Sequence, residues 1–122
     1  MVNSNNKKES FKFNPHNVFA MKIDMNPNEM VIKAGDSDHV FNGSSIKGKL
    51  ILTNQRVYFK PETNGQTHPN VEIWPDEIKD VMFYNNRLLF SNGLNIITKD
   101  GTENKFLVKD RSDWSEMIVR MC

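Results

Sequence analysis

The stretch KGKLILTNQRVYFKP, residues 47–61, decides the fold. Leu50 and Leu52 alternate with Lys49, Ile51 and Thr53. Beyond a short polar TNQ, Val57 and Phe59 alternate with Arg56, Tyr58 and Lys60. A period of two is the mark of strands with one face turned to a core. Thr-Asn-Gln supplies the turn, because Asn tolerates a left-handed backbone. The stretch therefore predicts a tight antiparallel hairpin with its basic side chains on the face away from the core.

Upstream, EMVIKAG (29–35) predicts a strand ending at Gly35. DSDHVFNGSS (36–45) reads as a polar loop carrying one apolar pair, Val40 and Phe41. Downstream, PETNGQTHPN (61–70) is a loop, and VEIW (71–74) is a short strand stopped by Pro75, which lacks the N–H a ladder needs. EIKDVMFY (77–84) is a strand of open phase: either Ile78, Met82 and Tyr84 or Val81 and Phe83 face the core. Asn85–Asn86 suit a hairpin turn, and LLFSNGLNIIT (88–98) reads as a strand kinked at Asn92–Gly93. Asp100–Gly101, between NIITK and KFLV, is the strongest turn signal.

At residue 110 the period changes. Trp114, Met117, Ile118 and Met121 fall at i, i+3, i+4 and i+7, an apolar stripe on a helix. Asp110 or Ser112 can cap its start, while Asp113, Glu116 and Arg120 suit its dipole. Six or seven short antiparallel strands followed by one amphipathic helix define a mainly β fold, α+β by count. The helix plugs the open end of a small barrel, each large buried side chain contributing about 1.5–3 kcal/mol.

The 122 residues suffice for one domain, and a formal net charge of +1 argues against a nucleic-acid partner. The polar N-terminus MVNSNNKKES carries no apolar leader and reads as a tail. Phe19, Met21, Ile23 and Met25 alternate, but Val18, Met21 and Met25 also fit helical spacing, so residues 11–28 read as an extended or short helical arm. With Cys122 the single cysteine, no internal disulfide can form, which fits a cytoplasmic protein, peripheral to a membrane if it touches one.

KGKLILTNQRVYFKPE (47–62), IWPDEIKDV (73–81), NGLNIITKDGTENKFLV (92–108) and DRSDWSEMI (110–118) together resemble the GRAM domain family of the pleckstrin-homology-like superfold, especially the small bacterial GRAM-containing proteins. The resemblance implies a split barrel of about seven antiparallel strands capped by a C-terminal helix, over residues 29–122. Residues 1–28 stand outside it as an N-terminal tail and arm. For its eukaryotic members the family implies membrane-associated or lipid-linked roles; the small bacterial members imply no general activity.

Lys33, Lys47 and Lys49 resemble the basic pattern of phosphoinositide-binding pleckstrin-homology domains, and with Arg56 they form the candidate anion site. Asp36 and Asp38 sit beside them and would repel an anion, so the alternative is a solvated strand face. Val40 and Phe41 are candidates for a membrane or partner contact, against folding back over the barrel. Trp74 is either core or a subunit contact. His16, His39 and His68 lack metal-ligand spacing and read as surface residues. Asp76–Glu77 and Asp110–Asp113 sit at a turn and a helix start, so no catalytic constellation, metal or cofactor is expected. The expected function is a non-enzymatic binding module, docking either to an anionic membrane surface or, by a strand edge or the capping helix, to a protein partner. A third option, an apolar ligand held inside the barrel, conflicts with the large core set Leu50, Leu52, Phe59, Ile73, Phe106 and Trp114.

Overall fold

The computed structural model describes residues 9–13, 21–62, 70–86 and 90–122. The strands are β1 (Glu9–Phe13), β2 (Met21–Met25), β3 (Val31–Phe41), β4 (Ser44–Thr53), β5 (Val57–Pro61), β6 (Val71–Ile73), β7 (Ile78–Asn86), β8 (Phe90–Thr98) and β9 (Glu103–Val108), followed by helix α1 (Arg111–Met121). β1 and β2 form a separate antiparallel ribbon. The other seven form one antiparallel sheet in the order β6-β5-β4-β3-β9-β8-β7, curled into a half-barrel.

The opening hairpin is present as predicted, with Leu50 paired to Phe59 and Leu52 to Val57. Its inner residues join Ile73, Leu94, Ile96, Phe106, Val108, Trp114 and Ile118 in a single core, which fills the interior with side chains. Gly48 is what lets β5 lie so close. A Cβ there would fall 2.3 Å from the Lys60 carbonyl oxygen and 2.6 Å from the Phe59 ring. The turn itself corrects the expectation for Asn54. The left-handed non-glycine residues among those described are Asn28, Asn42 and Asp110, and the Thr53–Arg56 turn closes by the Thr53 N–H donating to the Arg56 carbonyl at 2.9 Å.

The predicted loop at 36–45 is corrected. β3 runs on past Gly35 to Phe41 and turns through Asn42 (φ 51°) and Gly43 (φ 80°) into β4. Two successive positive φ values match the twist of the flanking strands. The polar composition concealed an ordinary alternation, because the residues turned inward are Ser37 and His39. Asn85–Asn86 likewise belong to β7 rather than a turn, and β8 passes through Asn92–Gly93 without a break. Its register against β7 does slip beside the expected kink: between the Tyr84–Gly93 and Asn86–Phe90 pairs β8 holds one residue more than β7. Part of the 11–28 arm is strand, not helix: β1 and β2 pair through Phe11–Ile23 and Phe13–Met21.

α1 closes the curled sheet with Trp114 and Ile118 buried and Met117 and Met121 packed beside them. Its start has no side-chain cap. Asp110 instead adopts a left-handed backbone, and its carbonyl accepts the Asp113 and Trp114 N–H groups at 2.9 and 3.1 Å. Arg111 donates to the carbonyls of Tyr84 (2.8 Å) and Gly93 (3.2 Å) and lies over the Phe83 ring, pinning the first turn to β7 and β8.

Candidate functional site

The four basic residues of the candidate anion site do not converge. Lys33 lies on the inner side of β3, ion-paired to Asp113 at 3.0 Å and 5.2 Å from the centre of the Trp114 ring. It helps hold the helix down. Lys47 and Lys49 lie on the outer face of β4, where their direct cross-strand neighbours on β3 are Asp38 and Asp36. Lys49 is ion-paired to Asp36. Lys47 is exposed, and Lys60 stands opposite Lys49 on β5. Each β4 lysine thus faces a carboxylate across the β3–β4 ladder, which offsets its charge.

Arg56 is the clearest correction, because its guanidinium is buried under residues 24–30 and does not stand open to solvent. Nε and one terminal nitrogen hold both oxygens of Glu29 at 2.8 and 3.0 Å, and the second terminal nitrogen reaches Glu72 at 2.5 Å. The Asp24 carbonyl accepts a further bond at 2.7 Å, and Tyr58 stacks alongside. The Arg56 and Glu29 side chains are 4% and 0% exposed, so no external anion reaches them. Burial pushes the Glu29 carboxyl up. Hydrogen bonds from Arg56, Thr53 and the Asn26 N–H, with the Arg56 charge, outweigh that and hold it below the usual carboxylate range. Burial opposes the Arg56 charge too, and its two carboxylate partners restore it.

This pair is the centre of a clamp. The Met30 N–H donates to the Asn54 side chain at 2.7 Å, and the Asn28 and Pro27 carbonyls accept from Asn54 and Gln55 at 3.1 and 3.0 Å. Residues 24–30 are thereby fastened to the β4–β5 turn. Met25 is buried against Ile51, with Val31 and Tyr58 beside it. Ile51, on the outward-facing parity of β4, is thus buried, because the segment leading out of the ribbon covers it.

His39 is the second correction. It is buried, with ring centres 5.8, 5.4 and 5.0 Å from Phe41, Phe59 and Phe106. A histidine flanked by Asp38 and Val40 gave no hint of this in a segment read as loop. His16 and His68 lie outside the described residues. Phe41, at the β3–β4 tip, is 43% exposed, and Val40 is half-buried. Trp74 is half-buried ahead of the 3-10 turn Pro75–Glu77, with its N–H donating to the Glu77 carboxylate at 3.0 Å.

A surface that sequence reasoning missed lies at the other edge of the sheet. β7 pairs on one side only, with β8, and both Met82 and Phe83 remain exposed, at 49% and 45%. Arg111, Ser115 and Val119 follow at i, i+4 and i+8 along α1. Arg111 sits on β7, so this stripe runs along the β7 side of the helix, and Val119 is 55% exposed. Phe83 and Val119 thus lie on the helix side of a free strand edge, and Met82 on the opposite face of the same strand. The signal for this edge was present in the undecided phase of EIKDVMFY: a strand apolar at both parities has one face with nothing of its own to cover.

A cleft of about 440 Å³ opens between β6, the 3-10 turn and the β8–β9 loop, lined by Glu72, Asp76, Glu77, Lys99 and Asp100 among others. The Asp100 carboxylate accepts from the Thr98 hydroxyl and the Thr102 N–H, which hold it below its usual range, so it serves the turn. No group of residues that could hold a metal ion occurs among the described residues, and no helix there is long and apolar enough to cross a membrane.

The fold is pleckstrin-homology-like. The chain is similar to the C-terminal domain of an unknown protein from Leishmania infantum, at 18% identity over 76% of this chain and 84% of that one, with a TM-score of 0.65. It is similar to the Vps36 N-terminal PH domain, at 19% identity over 77% of this chain and 79% of that one, with a TM-score of 0.61. The DH/PH domains of p115-RhoGEF align at 7% identity over 76% of this chain and 30% of that one, with a TM-score of 0.58. No family model matches the chain, and no curated protein does.

Proposed function

We propose that this chain is a non-enzymatic, GRAM-type binding module that docks an extended segment of a protein partner along the free edge of β7, beside α1. The observation that carries the reading is a sheet edge with no strand partner among the described residues, flanked by exposed Phe83 and Val119 on the helix side and exposed Met82 on the other face. An added strand satisfies the backbone groups of that edge, and the apolar side chains select its residues. The Val81 N–H is taken by its neighbour's Asp80 carboxylate at 2.9 Å, which guards the free edge against indiscriminate pairing. Of the carboxylates considered for catalysis, Glu77 is occupied within its turn and Asp113 is paired to Lys33, which supports the non-enzymatic reading.

A photo-crosslinking side chain at position 82, expressed in the cell of origin, should give a discrete protein adduct. Phe83→Asp should abolish it while leaving thermal stability nearly unchanged, since Phe83 is half exposed. An adduct that survives Phe83→Asp, or that arises equally from position 60 on β5, toward the other edge of the sheet, refutes docking at this edge.

The anionic-membrane reading keeps one observation in its favour. Phe41 is exposed at the tip of a long hairpin whose outer face carries Lys47. The paired carboxylates on that face weigh against it.

A further inference from the structure

One backbone donor on the β7 edge is already occupied. The Val81 N–H donates to the Asp80 carboxylate at 2.9 Å, so it points away from β8, toward the open side of the strand. In an antiparallel ladder the backbone groups of successive residues point to opposite sides of the strand. Asp80 and Met82, opposite Ile97 and Asn95, therefore bond to β8, while Val81 and Phe83 turn their N–H and C=O groups to the open edge. Register slips between Ile78 and Asp80 and between Tyr84 and Asn86 confine regular pairing to Asp80–Tyr84. A strand arriving here meets the Phe83 groups directly. It reaches the Val81 N–H only by displacing the Asp80 carboxylate.

Asp80 is exposed and makes no ion pair among the described residues. Its cross-strand neighbour on β8 is Ile97, and beyond Ile97 stands Glu103 on β9. A carboxylate moved off the Val81 N–H thus finds no cation across its own ladder. We propose that Asp80 selects the partner: the docked segment carries a lysine or arginine opposite Asp80 and apolar residues toward Phe83 and Val119, an inference that rests on docking at the β7 edge. The cation takes the carboxylate as the incoming backbone takes the Val81 N–H, one charge-assisted bond replacing another. A segment with an apolar residue there leaves Asp80 in place and forfeits a ladder bond, and an acidic one sets like charges opposite each other. A second copy of this chain, pairing antiparallel through its own β7, does not meet the requirement. Side chains that meet across such a pair share a face, and those beside Asp80 on its face are Met82 and Tyr84, neither of them basic. The fitting partner is a different segment, apolar on one face and cationic at one position of the other.

Random peptides displayed on phage and selected on the full chain test this. Selection should enrich alternating apolar sequences with one fixed lysine or arginine. Replacing that residue by glutamate in the synthetic peptide should weaken binding about five- to ten-fold, and Asp80→Lys in the protein should restore it. Asp80 is exposed, so its variant should melt with wild type. If nothing is enriched, or if the enriched peptides bind Phe83→Asp as tightly as wild type, docking at β7 falls and the role of Asp80 with it. If the peptides need Phe83 but share no basic position, or if charge reversal leaves their affinity unchanged, or if Asp80→Lys does not restore it, the role of Asp80 alone is overturned.

Discussion

Replacing Arg56 by Ala should be among the most damaging single changes in the chain, and its cost should depend on pH in a defined direction. The substitution leaves the Glu29 carboxylate at 0% exposure with its charge partner gone, and Glu72, at 39%, free to find water. Breaking a buried pair from one side costs about 3–5 kcal/mol. For a chain of this size that is about 12–20 °C in melting temperature. It is a large share of the about 5–15 kcal/mol a domain has to lose. In wild type the Glu29 carboxyl titrates below its unfolded value of 4.5, so its contribution is fully present above that value and is lost as pH falls through the lower folded value. In the variant, burial without the guanidinium favours the protonated acid, so the penalty shrinks on acidification. Urea unfolding of wild type, Arg56→Ala, Glu29→Gln and the double variant, at pH 7 and again near pH 4, measures this. The single changes should couple strongly at pH 7 and weakly near pH 4. A cost for Arg56→Ala below about 1 kcal/mol at pH 7, or one that does not fall with acid, would show that the pair is not the buried electrostatic lock described here.

Gly48→Ala should destabilise by about 2 kcal/mol or more, because two of the atoms its Cβ meets are backbone of β5 and the third is the packed Phe59 ring; equilibrium unfolding reads the loss. Lys33→Ala should cost no more than about 1 kcal/mol in the same assay despite its two partners, because Asp113 is half exposed and screened by solvent.

The elements that were legible in the chain are those in which a residue's chemistry agrees with its place. KGKLILTNQRVYFKP reads as a hairpin because leucine, valine and phenylalanine alternate inward, and those are the residues the core takes. DSDHVFNGSS misreads for the opposite reason. Ser37 and His39 occupy inward positions in β3, and the aromatic rings that make room for His39 come from β5, β9 and the strand tip. The Asn42–Gly43 turn was written in the sequence but lay hidden inside an apparent loop.

The candidate site divides in the same way. Arg56 keeps the outward parity of the hairpin, beside Tyr58 and Glu72, and is buried because Glu29, 27 residues earlier, reaches it from the foot of the ribbon. Lys33 differs in face from Lys47 and Lys49 because strand parity, not proximity, sorts them, and the helix that claims it starts 78 residues later. Local periodicity thus determined the strands, the closing helix and the filled core, since burial of alternating side chains is a short-range property of the chain. Which charges are spent inside the protein and which surface is left uncovered was decided only by the tertiary structure. Ion pairs and exposed edges depend on what distant segments bring to the same place, and no spacing along the chain encodes that.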